Sequence, residues 1–201
     1  MIFPLVFTIR GSFRRREKAL EHLSEFRSSI ITLNYYFNNS TMPDAQKEEI
    51  NAILLDISTT LMAHLKSNET KTAVIDSSIQ KIYDFLQEHK DFVSGKIKDK
   101  TFRYLKDVHE SVENVHAINI HRTPISLKAY CLIFIYIFPL IYTPAVIYRI
   151  GEDKNHAITY FIVILSQFIL IALYNIQNQL EYPFDDNGLD DIQLENFKID
   201  R

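Results

Sequence analysis

Residues Ala129–Tyr148, AYCLIFIYIFPLIYTPAVIY, and Ala157–Leu180, AITYFIVILSQFILIALYNIQNQL, decide how the chain folds. Neither stretch holds an Asp, Glu, Lys or Arg. A helix needs about 20 apolar residues to cross a hydrocarbon core about 30 Å thick, and both runs are long enough. Only Arg149–His156, a polar connection around Gly151, separates them. The pair therefore reads as a transmembrane helical hairpin. Two core helices of a soluble bundle are the competing reading, but such helices rarely stay uncharged on every face for so long. Pro139 and Pro144 fall inside the first run, where lipid-embedded helices tolerate them if neighbours satisfy the freed carbonyls.

Outward from the hairpin the composition changes. Of the 22 Lys and Arg residues, all but Arg149, Lys154, Lys198 and Arg201 lie between Arg10 and Lys128. The positive-inside rule then places the long N-terminal segment and the C-terminal tail in the cytoplasm and the 151–156 connection outside. The segment before the hairpin is amphipathic and helical by period. Leu20, Leu23, Phe26, Ile30, Leu33 and Phe37 mark a helix over Gly11–Phe37. After Asn38-Asn39, Ser40 or Thr41 is expected to cap a second helix with Pro43 in its first turn, carrying Ile50, Ile53, Leu54, Ile57, Leu61 and Leu65. A third runs from about Thr72 to Val93 through Val74, Ile75, Ile79, Ile82, Phe85 and Leu86. A fourth runs from Lys96 to about Asn119 with Phe102, Leu105, Val108, Val112 and Val115. No stretch alternates with period two, so the expected fold class is all-α, an integral membrane protein whose amphipathic bundle is continuous with its membrane helices. The expected division is 1–9, the end of a membrane or interfacial helix; 10–126, a cytosolic helical domain; 127–150, a membrane helix; 151–156, an external loop; 157–180, a membrane helix; and 181–201, an acidic tail.

Several function classes are excluded early. Four glycines and no Walker, Gly-x-Ser-x-Gly or His-Glu-x-x-His pattern leave no recognisable enzyme motif, and none is assigned. Glu113-Asn-Val-His116 has the Glu-x-x-His spacing of carboxylate-bridged di-iron bundles, but no second copy occurs. His109, Glu110, His116 and His121 are expected on a solvated face. The single cysteine, Cys131, lies in a membrane run where thiolate formation is disfavoured. A net charge of −3 supplies no basic field for nucleic acid. No cofactor and no metal are expected, apart from the weak cation-binding reading of the tail given below.

Three blocks carry a resemblance. Phe7-Thr8-Ile9-Arg10-Gly11-Ser12-Phe13-Arg14-Arg15-Arg16-Glu17 resembles the stretch in which bestrophin-type anion channels leave the membrane through an aromatic-Asp-Arg-Trp-Trp-Glu motif. Phe13 and Arg15 match its aromatic and arginine; the tryptophans are absent. His121-Arg122-Thr123-Pro124-Ile125-Ser126-Leu127 resembles the Thr-Pro-Ile-Pro block opening the family's third membrane helix. Gln179-Leu180-Glu181-Tyr182-Pro183-Phe184 resembles the Asn-Pro-Phe-Gly loop after its last span. The blocks stand in the family's order, closest to its prokaryotic branch, and the family's first membrane helix and most of its second have no counterpart here.

The resemblance implies a homopentamer in the cell (plasma or inner) membrane that passes chloride or similar monovalent anions passively through a central pore. The pore would be lined by the second membrane helix and its cytosolic continuation. Phe3 and Phe7, four residues apart on one helix face, then stand where the family narrows its pore, or else pack on lipid. Arg10, Arg14, Arg15 and Arg16 either concentrate anions at the cytosolic mouth or mark the membrane interface through lipid phosphate. Asp185, Asp186, Asn187, Asp190 and Asp191 align with a loop that forms a calcium clasp in animal members. They read either as a cation site or as a solvated acidic cap that docks on basic helices of a neighbouring subunit. The competing function is a non-conducting, membrane-anchored helical module.

Overall fold

The computed structural model describes residues 3–67, 69–91, 93, 95–150, 156–188 and 190–200. Six helices follow in order: α1 (Phe3–Asn38), α2 (Asp44–Lys66), α3 (Ala73–Glu88), α4 (Gly95–Ile120), α5 (Ile125–Ile150) and α6 (His156–Glu181). A short 3-10 helix, Leu194–Phe197, ends the chain, and no strand occurs among the described residues. Most of the expected connection 151–156, with Glu152, Asp153 and Lys154, lies outside the described residues.

The predicted apolar stripes become one core. Leu23, Phe26, Ile30, Leu33 and Phe37 of α1 meet Ile50, Leu54, Ile57 and Leu61 of α2, Ile75, Ile79, Ile82 and Phe85 of α3, and Leu105, Val108, Val112 and Val115 of α4. Nearly all are fully buried. Each buried side chain of this size contributes about 1.5–3 kcal/mol through apolar transfer, so this cluster is the stability of the polar half. Two residues depart from the expected stripes. Val74 (57% exposed) and Phe102 lie outside the core, because each is offset by one or more positions from the 3.6-residue repeat that buries Ile75 and Leu105.

Helix boundaries also differ from expectation. Neither Ser40 nor Thr41 caps α2: Pro43 occupies the cap position without a side-chain bond. The Ser40 hydroxyl instead donates to the Phe37 carbonyl at 2.6 Å, closing the end of α1. Proline is tolerated there because its missing N–H breaks no intrahelical bond at the start of a helix. α3 stops at Glu88, short of the expected Val93.

α1 is the unifying element. Its 36 residues span about 54 Å as one rod. At one end it packs beside α5 and α6, and along the rest it runs against α4 and α2. The membrane-type hairpin α5–α6 makes its own smaller cluster with α1, built from Leu5, Cys131, Ile135 and Leu170, with Ile9, Phe134, Phe138, Leu173 and Tyr174 packed around it.

α5 and α6 are long and apolar enough to cross a membrane, yet only 17% and 11% of their apolar windows are buried. Leu140, Ile141, Tyr160, Phe161, Ile164 and Phe168 are each at least 65% exposed. Water does not tolerate a continuous apolar surface of this kind, so the soluble-core reading fails and lipid is the fitting solvent. Pro139 removes the N–H that would bond the Ile135 carbonyl four residues earlier. Gln167 of α6 takes that role, donating Nε2–H to the Ile135 oxygen at 3.1 Å. The one amide side chain in the middle of α6 is thus placed where α5 has an orphan acceptor.

Candidate functional site

The sequence blocks converge where α1 leaves the hairpin and enters the polar bundle. α5 begins at Ile125, directly after Thr123-Pro124, and α6 ends at Glu181. Their meeting gathers Arg15, Thr123, Lys128, Gln177 and Glu181 beside buried Ser12. Glu181 is 3% exposed. Its carboxylate accepts the backbone N–H of Thr123 at 3.0 Å and the Gln177 amide at 3.2 Å. It also forms an ion pair with Lys128. Arg15 Nη2 donates to Thr123 Oγ1 at 2.7 Å and to Ser12 Oγ at 2.9 Å. Burial pulls the Arg15 guanidinium below its ordinary pKa, and the nearby Glu181 charge acts in the opposite direction. An arginine so placed remains charged at any biological pH.

Around this node the ring of Tyr182 lies 4.2 Å below the Arg122 guanidinium and 5.7 Å from Lys128 Nζ. Three cations and one buried carboxylate thus lock three helices where they converge. A buried charge keeps its place only when paired and hydrogen-bonded, and here the partners are Gln177 of α6 itself, Lys128 of α5 and the Thr123 backbone before α5. Sequence reasoning singled out Arg15 and Thr123 but missed Glu181, Lys128 and Gln177. A glutamate and a glutamine four residues apart at the end of an otherwise neutral helix were the signal available.

The remaining sequence-predicted residues fall into three groups. The first lies on the outer side of α1. Phe7 (64% exposed), Arg10, Phe13 and Arg14 face away from the chain's own core. The side chain of Phe3 lies outside the described atoms, but by helical register positions 3, 7, 10 and 14 share one face. Arg10 and Arg14 make no hydrogen bond or ion pair among the described residues.

The second group supports the α4–α5 turn and the tail. The Pro124 carbonyl accepts the N–H groups of Leu127 and Lys128, starting α5, while Ile125 is exposed. The Pro183 carbonyl accepts the Ile192 N–H at 2.8 Å, and Phe184 is buried in the main core with Ile192 and Leu194.

The third group is the acidic tail, whose Asp185, Asp186, Asn187 and Asp190 side chains are exposed. It folds against basic residues of its own chain, because Phe184, Ile192 and Leu194 anchor it in the core. Arg16 Nε donates to the Asp190 carbonyl at 2.6 Å, and Arg27 Nε to that of Lys198 at 3.2 Å. Asp186, at φ 58°, pairs with Lys66 at 2.8 Å. Asp185 accepts the Asn187 N–H, and Asp191 accepts that of Gly188 at 2.6 Å. A Cβ on Gly188 would lie 2.5 Å from Asp191 Oδ1, which is why glycine stands there. Burial and the adjacent Asp185 hold the Asp191 carboxyl above the usual range. The Asp185, Asp186 and Asp191 carboxylates thus each take an N–H group or a lysine of this chain, and Asp185 also lies beside Asp191.

The expected solvated histidine face is also partly filled. His109 is half-buried beside the Tyr83 ring, while Glu110 and His121 are exposed. His116 is half-buried too, and its Nδ1 lies 2.9 Å from Nε2 of His64, a residue only 5% exposed. Burial, and then the neighbouring His116, lower the His64 pKa. The α2 stripe hid His64 among apolar neighbours, so the pair could not be read from the sequence.

No protein-family model and no curated protein matches the sequence. Solved structures do. A bacterial bestrophin homologue from Klebsiella pneumoniae, phased with zinc, superposes with a TM-score of 0.84 at 13% identity, covering 97% of this chain and 78% of that one. A point variant of the Klebsiella pneumoniae homologue gives 0.82 at 14% identity, over 96% of this chain and 78% of the other. A structure described as a membrane protein gives 0.84 at 13% identity, with the same coverage as the first. At such identities the similarity speaks for the fold, and over nearly the whole chain. With its all-α architecture, its two membrane-type helices and its α1–α5–α6 junction, the chain has the fold of the bacterial bestrophin homologues.

Proposed function

We propose that the chain is the subunit of a bestrophin-like channel that conducts chloride or similar monovalent anions passively, assembled as a homopentamer around α1. The observation that carries this reading is the outer face of α1. One unbroken helix leads from the apolar hairpin into the polar bundle, with an aromatic, Phe7, at membrane level and the unpaired cations Arg10 and Arg14 in the turns that follow. A helix whose solvent face is apolar and then cationic, and finds no partner among the described residues, suits a pore wall. Arg10 and Arg14 raise the local anion concentration at the mouth. Phe3 and Phe7 form a narrow apolar ring that gates by dewetting, and the positive edges of their rings favour a partly dehydrated anion. The Arg15–Thr123–Glu181–Lys128 node fixes the angle at which α1 leaves the membrane and so positions these side chains without touching the ion. The distribution of Lys and Arg supports a multi-pass arrangement in the cell membrane with the bundle and tail in the cytoplasm. No catalytic role is assigned.

Planar-bilayer recording of the purified chain in asymmetric chloride tests the proposal. Currents that reverse near the chloride equilibrium potential support it. Silent bilayers from a preparation that native mass spectrometry shows to be pentameric contradict it.

A further inference from the structure

We propose that Glu49, Glu88 and His89 form a binding site for one divalent transition-metal ion of the zinc class. The site lies far from the α1–α5–α6 junction and owes nothing to the acidic tail. Glu49 stands in the second turn of α2, Glu88 is the last residue of α3 and His89 follows it. α2 and α3 pack together, so the start of one meets the end of the other. One ligand atom from each of the three residues lies within 4.8 Å of the other two. His89 Nε2 is already 3.2 Å from a Glu49 carboxylate oxygen. Metal–nitrogen and metal–oxygen bonds of about 2.0–2.2 Å in a tetrahedral site put ligand atoms roughly 3.3–3.6 Å apart, so small rotamer changes close the set.

The chemistry selects the ion. One imidazole and two carboxylates suit zinc and its first-row neighbours, whereas calcium and magnesium seek all-oxygen shells with more ligands. Neither glutamate forms an ion pair with a lysine or arginine among the described residues, so the two carboxylates converge with a single imidazole as partner. A dication neutralises them. Three protein ligands leave a fourth position for water, and the side-chain exposure of 20% at His89 and 48% at Glu49 gives the ion a path in. The His89 ring is held in place by Phe85, with centroids 4.6 Å apart. Phe85 in turn meets Phe37 of α1 edge-on at 6.2 Å. A bound ion would therefore staple α2 to α3 and brace the far end of α1 through this aromatic contact.

The test uses the full chain in detergent, stripped with chelator and titrated with zinc chloride by calorimetry at pH 7.5. One zinc per chain is expected, undisplaced by a large excess of calcium or magnesium. His89→Gln, and separately the double variant Glu49→Gln/Glu88→Gln, should each weaken zinc binding at least about tenfold. His116→Ala, which removes the other histidine pair, should leave it unchanged. An anomalous zinc peak between these three side chains would support the assignment directly. Zinc binding that survives His89→Gln in a chain with an unaltered circular dichroism spectrum overturns the proposal. So does loss of binding in His116→Ala, or equal competition by calcium.

Discussion

Replacing Glu181 should loosen the junction of α1, α5 and α6 by an amount the geometry sets. Its carboxylate is almost fully buried and accepts three donors: the Thr123 backbone, the Gln177 amide and the Lys128 ammonium. Breaking a buried ion pair by removing one partner costs about 3–5 kcal/mol. The Lys128 side chain is 21% exposed and recovers some hydration, so the lower end, about 3 kcal/mol, applies to Glu181→Ala. For a chain of this size that is a fall in Tm of about 6–12 °C. Glu181→Gln keeps an acceptor for Thr123 and should lose about 2 kcal/mol. The double variant Lys128→Met/Glu181→Leu removes both charges and should be more stable than Glu181→Ala, because no unpaired ion remains. Cys131 supplies the assay. It is the only cysteine and is 1% exposed beside α1, so a thiol-reactive dye reports the temperature at which the hairpin opens. A shift under about 2 °C for Glu181→Ala, or a double variant as unstable as the single one, would refute the assignment of the node as the structural lock.

Gln167→Leu should lower the same midpoint by about 3–6 °C, since it strands the Ile135 carbonyl that Pro139 leaves free; adding Pro139→Ala should restore much of the loss by returning the intrahelical bond. Phe7→Ala should change stability by no more than about 0.5 kcal/mol, as the side chain is mostly exposed, yet raise single-channel conductance; unchanged currents would remove Phe7 from the pore. Because His64 has its pKa lowered in the fold, folding favours its neutral form. Its contribution is then complete above the ordinary histidine pKa of about 6.5 and is lost as pH falls through the lowered native value. The melting midpoint should accordingly drop less steeply between pH 7 and pH 5 in His64→Gln than in the parent chain, and parallel curves would contradict the lowering of the His64 pKa by burial and His116.

The fold was legible because its two controlling signals are periodic and long. Runs of 20 or more neutral residues fix α5 and α6, and the repeat Leu23–Phe26–Ile30–Leu33–Phe37 fixes the buried side of α1. The junction was legible only in part. Arg15, Thr123 and Glu181 stood in recognisable blocks, but Glu181 and its partner Lys128 are 53 residues apart, and nothing local to either announces an ion pair. The tail is ambiguous for a related reason: five oxygen-bearing residues near a glycine resemble a cation loop as well as an acidic cap. Tertiary contact puts Lys66 on the Asp186 carboxylate and Arg16 on the Asp190 backbone carbonyl, which no local spacing announces. Ser40 failed as a cap because its hydroxyl closes the end of α1 on the Phe37 carbonyl and α2 starts only at Asp44. The convergence of Glu49 with Glu88 and His89 depends on how α2 pairs with α3, which no spacing within either helix encodes.

Chloride efflux from sealed proteoliposomes containing only the purified chain tests the central claim most directly. Loaded with chloride and diluted into a chloride-free buffer with a permeant counter-ion, the vesicles should release chloride well above the rate of protein-free vesicles, and Phe7→Ala should accelerate release. Efflux indistinguishable from protein-free vesicles, from chain shown to be inserted and folded by the protection of Cys131, would contradict the account.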